Sequence, residues 1–268
     1  MDKEKLTAGR DRLLASALEH FSSDPRVLGI FLGGSLAAGT ADAYSDIDMR
    51  VVVTADTHLW FVANRREIPK PWPGFLFNEW VPGAHHCVSH FRPFGKIDIF
   101  YLSADTLQPS PWYSLPLTVL HDPKGIVIDL IARSAALRFT VSEDDIDFSI
   151  SKGLAAAHET YRRVMRGELV YAQTLLDELR AHIMCADDWL GDRTPECATL
   201  AKFDQRASKD VLSVLMASYV PGEAQHILSA LDTLTTLYRQ QVTAMHDKFQ
   251  LSRPIENDLA AFDALNCA

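Results

Sequence analysis

The sequence predicts an α+β fold: an N-terminal mixed β-sheet domain flanked by helices, followed by a C-terminal α-helical bundle. Three observations carry this. Between residues 27 and 121, short apolar runs rich in β-branched and aromatic residues are separated by Gly, Pro and Asp turn signals, the pattern of a sheet. Beyond about residue 143 the β-branched residues thin out and apolar residues recur at three- and four-residue spacing, the pattern of packed helices. The chain has 268 residues and 47% hydrophobic content, enough for one large domain or two ordinary ones with real cores. The boundary is expected at 142/143, giving domains 1–142 and 143–268.

Taken in order, residues 4–21 read as a helix with Leu6, Leu13, Leu14, Ala17 and Leu18 on one stripe, stopped by Asp24 and Pro25. Val27 to Leu32 is a short apolar run, suited to a strand buried on both faces. Gly33 and Gly34 end it, and Ser35 to Gly39 reads as a turn opening a short helical segment. Asp46 to Val53 is the next strand. Leu59 to Arg66 reads as a helix stopped before Pro69, and residues 71–74 as a loop. Phe75–Val81, His86–Phe91 and Ile97–Leu102 are extended, with Leu117–His121 as an edge strand. In the Ile97–Leu102 strand, Asp98, Phe100 and Leu102 share one face while Ile97, Ile99 and Tyr101 share the other.

In the second half Leu169, Ala172, Leu176, Leu179 and Ile183 mark one buried helix face. Val211, Leu212, Leu215 and Tyr219 mark another, and Ile227, Leu231, Leu234 and Tyr238 a third. Pro195 and the Pro221–Gly222 pair separate these elements, so a bundle of four or five helices is expected. The acidic run Glu143, Asp144, Asp145 and Asp147 reads as the capped start of the first of them.

The formal net charge of −9 excludes an extended nucleic-acid footprint. No apolar run approaches the ~20 residues that span a bilayer, and the N-terminus lacks the apolar core of a secretion signal. Cys87, Cys185, Cys197 and Cys267 are widely spaced, as reduced thiols of a cytoplasmic protein would be. His85, His86, Cys87 and His90 alternate across a strand and cannot all converge on one zinc ion.

The most specific pattern is Gly33, Gly34 and Ser35 followed, eleven residues after Ser35, by Asp46, Ile47 and Asp48. A Gly-Ser turn after an apolar strand can hold phosphate against backbone N–H groups. Two aspartates at i and i+2 point to one face, where like charges destabilise a sheet unless a cation neutralises them. Mg²⁺ favours one or two carboxylates together with substrate phosphates. Asp98, flanked by Ile97 and Ile99, is the expected third carboxylate, since an unpartnered acid is expensive to bury there. Glu79 is the reserve.

The run from Val27 through Gly33, Gly34 and Ser35 to Ser45, Asp46, Ile47, Asp48 and Met49 resembles the signature of the DNA polymerase β nucleotidyltransferase superfamily. It is most similar to the small bacterial enzymes that modify aminoglycoside and lincosamide antibiotics. The resemblance covers residues 26–54, and Lys96–Leu102 fits the later strand that carries a third acid. It implies a nucleotidyltransferase domain at the N-terminus, with Gly34 and Ser35 at the nucleotide phosphates. Asp46, Asp48 and Asp98 then hold metal, two Mg²⁺ ions in the full site, and act as the catalytic acids. Where some relatives carry a glutamate, Asp98 is one methylene shorter, which favours a metal-bridging role over that of general base. Ala38 stands where relatives often have a basic residue.

The reaction so implied moves a nucleoside monophosphate, most simply AMP from ATP, onto a hydroxyl of a small acceptor. The expected partners are ATP or another NTP and that acceptor, with no nucleic acid and no membrane; a homodimer is admitted. Arg166 and Glu168 are secondary candidates, for which a solvated, charged helix face is the stronger explanation and a position in an interdomain cleft the weaker one. Two other functions fit the same motif: AMP transfer to a protein, as in antitoxin-type transferases, and a degenerate nucleotide-binding regulatory module.

Overall fold

The structure is a computed structural model that describes residues 2–193 and 200–266. Two compact units divide the chain, Met1–Arg138 and Phe139–Ala268. Pro195, Cys197 and Cys267 lie outside the described residues, while Cys87 and Cys185 are free thiols. No helix among the described residues is long and apolar enough to cross a membrane.

The first unit is built on six strands: β1 (Val27–Leu32), β2 (Ile47–Val53), β3 (Phe75–Glu79), β4 (His86–Phe91), β5 (Gly95–Ser103) and β6 (Thr118–His121). They form one sheet in the order β3-β4-β5-β2-β1-β6. β2 and β5 are parallel and every other neighbour pair is antiparallel, so the sheet is mixed. Alternation along the central strands sorts the side chains. Ile47, Met49 and Val51 of β2 and Ile97, Ile99 and Tyr101 of β5 face one way. There they pack with Leu13, Ala17 and Phe21 of α1 (Lys3–Ser22) and Phe61 of α3 (His58–Asn64). Trp72 also belongs to this core, 6% exposed, with its ring against those of His20, Phe21 and Phe91. On the opposite face Phe31, Val52 and Val127 form a smaller cluster. Asp48 and Asp98 share that second face by strand parity.

The short helix α2 (Gly34–Ala38) follows β1 directly and ends at Gly39 in the left-handed region. A helix that the sequence pattern does not announce, α4 (Ile126–Ser134), covers the β1 end of the second face. Its β-branched start favours a strand, but the Asp122 carboxylate accepts from the N–H groups of Val127 and Ile128 at 3.0 and 2.9 Å and caps a helix instead.

In the second unit Ser142 begins α5 (Glu143–Met165) with a capping box, its hydroxyl accepting from the Asp145 N–H at 3.1 Å. α6 (Leu169–Leu190), the single turn α7 (Phe203–Arg206), α8 (Lys209–Ala217), α9 (Ala224–Phe249) and α10 (Ile255–Asn266) complete the described helices. One core joins Ile150, Leu154 and Ala157 of α5 with Leu176, Leu179 and Ile183 of α6 and Leu231, Leu234 and Tyr238 of α9. Tyr219, expected on a buried stripe, is 61% exposed because α8 stops at Ala217; its ring instead carries the buried Arg180 guanidinium 4.1 Å from its centroid.

Packing is tight at Gly153 of α5, where an added Cβ would stand 2.4 Å from the Tyr238 ring. The Tyr238 hydroxyl donates to the Ser149 carbonyl at 3.0 Å, which limits the ring's freedom to move. Gly153→Ala is therefore expected to lower stability by about 1–3 kcal/mol through overpacking. Thermal unfolding of the full chain, with nucleotidyl transfer as a parallel readout, checks this. An unchanged Tm would mean that the ring has room to shift.

Candidate active site

Asp46 and Asp48 are delivered by a loop held at its base. The Asp42 carboxylate accepts from the Tyr44 N–H at 2.9 Å and the Ser45 hydroxyl at 3.1 Å, and Arg10 of α1 donates to the Asp42 carbonyl at 2.8 Å. The loop ends at Asp46, one residue before β2 begins. Asp46 thus lies just outside the strand that was expected to include it. Asp48 is then the second residue of β2, and in the parallel β2–β5 pairing it stands directly opposite Asp98. The Asp98 side chain is 18% exposed and that of Asp46 35%.

Glu79 is placed elsewhere. It lies on edge strand β3, opposite Val88, which in turn pairs with Asp98. Two strand spacings, about 10 Å, therefore separate it from Asp98. Its 67%-exposed carboxylate lies 3.3 Å from the His90 imidazole. Of the two acids, only Asp98 neighbours the Asp48 strand.

A residue that the sequence reading left out lies among these carboxylates. Lys96 donates to Asp46 Oδ2 at 2.8 Å and sits 3.3 Å from Asp98 Oδ1. It shares a strand face with Asp98 by the same i, i+2 parity that paired Asp46 with Asp48, so the signal was present. Asp98 Oδ1 is buried and has charge compensation from Lys96, yet no hydrogen bond satisfies it. Burial, and next the charge of Asp46, push Asp48 above the usual carboxylate range, against the pull of Arg50 and Lys96. Asp98 is also raised by burial; Lys96 opposes the rise, while Asp46 and Asp48 add to it. Burial alone would lower Lys96, but its hydrogen bond to Asp46 and the charges of Asp98 and Asp46 outweigh that and raise it.

The Gly33–Gly34 turn presses against the same group. Gly34 has φ +62°, and a Cβ there would stand 1.9 Å from Asp48 Oδ2. The Gly33 N–H donates to the Asp48 carbonyl at 3.0 Å, and Arg50 donates to that carbonyl at 3.1 Å. Arg50, also missed in the sequence reading, lies under Gly33 and 5.2 Å from the centroid of the Phe100 ring. The N–H groups of Gly34 and Ser35 open α2, in the first turn, whose N–H groups an α-helix leaves without intrahelical partners.

Among the described residues no group of three or more His, Cys, Asp or Glu side chains forms a ready metal-binding set. The ammonium of Lys96 stands between Asp46 and Asp98 instead. The donors nevertheless suit a hard divalent cation: Asp48 and Asp98 face each other on adjacent strands, Asp46 ends the loop before β2, and Lys96 already places a positive charge between Asp46 and Asp98, whose buried Oδ1 lacks a hydrogen bond.

Arg166 and Glu168 belong to the second unit, at the turn from α5 to α6. The Glu168 carboxylate accepts from Arg163 at 2.7 Å, and Arg163 also pairs with Glu159. Both residues are exposed.

Residues 12–72 match the family model of the nucleotidyltransferase domain. This segment carries Gly34, Ser35, Asp46 and Asp48, and it assigns nucleotidyl transfer as the chain's general chemistry. No curated protein matches the sequence. Among solved structures, the chain is similar to an aminoglycoside 6-adenyltransferase from Bacillus subtilis, with TM-score 0.45 and 14% identity over 97% of this chain and 98% of the other. It is also similar to a nucleotidyltransferase-like protein from Exiguobacterium sibiricum, with TM-score 0.45 and 16% identity over 91% of this chain and 81% of the other. At those scores neither neighbour carries the assignment, which rests on the residues and the domain match.

Proposed function

We propose, for a chain that carries a nucleotidyltransferase domain, that it moves a nucleoside monophosphate onto a hydroxyl of a small molecule. The donor in this reading is ATP, the group transferred AMP, and the acceptor a polyhydroxylated compound such as an aminoglycoside or lincosamide. The observation that carries it is the pairing of Asp48 with Asp98 across β2 and β5, with Asp46 joined to Asp98 through Lys96 and Gly34 closed against Asp48.

Asp46, Asp48 and Asp98 would hold Mg²⁺, two ions in the full site, whose chemistry is to neutralise charge at the α-phosphate and to lower the pKa of the attacking hydroxyl. Gly34 and Ser35 present backbone N–H groups to the triphosphate, and the absence of a side chain at Gly34 lets phosphate and carboxylate approach each other. In the transfer the acceptor oxygen bonds to the α-phosphorus and the bond from that phosphorus to the bridging oxygen breaks, releasing pyrophosphate. The hydroxyl proton goes to a carboxylate within reach. Asp98, directly opposite Asp48 on the neighbouring strand, is the candidate for that role besides holding metal. Dependence on ATP and Mg²⁺ fits a cytoplasmic site of action.

The test is incubation with labelled ATP, Mg²⁺ and a panel of aminoglycosides, lincosamides and proteins, reading which species gains AMP. Label on a small acceptor supports the proposal. Label on protein would replace the acceptor, and no label with no nucleotide binding would make the chain a regulatory module. With an active acceptor in hand, Asp98→Ala is expected to lower the transfer rate by about 10²–10⁴-fold, the range for removing a general acid or base. Glu79→Ala should stay within about twofold, because Glu79 lies two strands away. The reverse ranking would transfer the third acidic role to Glu79.

A further inference from the structure

We propose that Lys96 is a built-in counter-ion of the carboxylate site, occupying the face shared by Asp46 and Asp98 and leaving it as a divalent ion enters. The proposal rests on the metal-dependent nucleotidyltransferase reading above and adds to it a competitor for the metal.

The geometry sets up the competition. The Lys96 ammonium lies 2.8 Å from Asp46 Oδ2 and 3.3 Å from Asp98 Oδ1, so a single cation spans acids delivered by the β2 loop and by β5. Asp46 and Asp98 are also among the carboxylates that would hold Mg²⁺ in the proposed function. The ammonium and the metal cannot both sit on the same lone pairs of Asp46. Lys96 also fills the place imperfectly. Its contact with Asp98 Oδ1 satisfies charge but not hydrogen-bonding geometry, since that buried oxygen has no hydrogen-bond partner. A cation making shorter, non-directional contacts satisfies the same oxygen better.

Charge counting points the same way. Asp46, Asp48 and Asp98 carry three negative charges when ionised, and Lys96 offsets one of them. Arg50, whose charge also acts on Asp48, offsets another, so with Lys96 in place the remaining charge of about one falls short of one divalent ion and the ammonium opposes metal entry electrostatically. The lysine is suited to leave: its side chain is 35% exposed, and its flexible four-carbon stem carries a compact charge that can swing toward solvent. An ordinary surface ion pair contributes little to stability and would need no such account. Here one ammonium bridges two acids that the fold otherwise forces together.

Direct Mn²⁺ binding to the full-length protein without nucleotide, followed by electron paramagnetic resonance of the free ion, tests this. Lys96→Met is expected to bind Mn²⁺ about tenfold or more tightly than wild type, a change of about 1.4 kcal/mol. Lys96→Arg, which keeps the charge, should remain close to wild type. Equal or weaker Mn²⁺ binding by Lys96→Met, in protein whose wild type does bind Mn²⁺, overturns the counter-ion role and leaves the nucleotidyltransferase reading standing. If wild type, Lys96→Met and Lys96→Arg all fail to bind Mn²⁺ at millimolar concentration, the metal-site reading falls and the proposal with it. Circular dichroism of each variant confirms that the fold is retained.

Discussion

Asp48→Asn is expected to abolish metal-dependent nucleotidyl transfer while making the metal-free protein more stable. The loss should exceed about 10²-fold, because removing even an outer-sphere partner of a metal ligand costs about 10–100-fold and Asp48 is assigned as a ligand itself. The gain follows from the environment of the carboxylate. Asp48 is raised above its ordinary range by burial and by the adjacent Asp46 charge, so ionising it opposes folding when no cation is bound. For an acid with a raised folded-state pKa, the linked stability is fully present below the unfolded-state pKa and is lost as pH rises through the folded value. Wild type therefore loses stability relative to Asp48→Asn as the solution moves from acid toward neutral pH. Below both values the two proteins converge.

Thermal unfolding in chelator across that range checks the sign. A Tm for Asp48→Asn higher by roughly 2–4 °C at neutral pH corresponds to about 1 kcal/mol for a chain of this size. Adding Mg²⁺ should stabilise wild type, since an ion that binds only the folded state shifts the equilibrium by mass action. The variant should gain little. Equal Tm values at neutral pH without metal would show that Lys96 and Arg50 already offset the buried charge in full.

The candidate donor residues could be named from the sequence because their pattern is local. Gly34, Ser35, Asp46 and Asp48 lie close along the chain, and i, i+2 spacing pairs the two acids without knowledge of the fold, although Asp46 ends the loop just before β2. Asp98 became a candidate for a different reason: a carboxylate between Ile97 and Ile99 is costly to bury without a partner. Its neighbour across the sheet was not legible. Only the parallel pairing of β2 with β5 brings Asp48 opposite Asp98 and the Lys96 ammonium onto Asp46, and strand partners are not written in local periodicity. Arg50 was missed on the same ground, since its role depends on Gly33 folding back over it. Helix α4 shows the opposite failure. Ile126, Val127 and Ile128 favour extended structure, and a single side chain, Asp122, accepts from the N–H groups of Val127 and Ile128 and caps a helix there.

Gly34→Ala is the second large effect, and the glycines around it separate its causes. At φ +62° an alanine pays the left-handed backbone penalty of about 1–2 kcal/mol, and its Cβ would stand 1.9 Å from Asp48 Oδ2 and 2.9 Å from Cγ. Rotating the carboxylate away relieves the clash only by moving Asp48 off its position beside Asp98. Because a displacement of about 1 Å at reacting groups costs about 10²-fold, transfer should fall at least that far. Gly39 has φ +69° with nothing within 4 Å of an added Cβ, so Gly39→Ala carries the backbone penalty alone. It should lower Tm like Gly34→Ala but leave far more activity. Gly33 has φ −117°, open to any residue, and its added Cβ meets the end of the Arg50 side chain at 2.5 Å. Gly33→Ala should therefore displace a guanidinium rather than a carboxylate, with a loss of rate between the other two. If Gly34→Ala and Gly39→Ala lose equal activity, strain in α2 governs the site, and the close approach of Gly34 to Asp48 has no part in the chemistry.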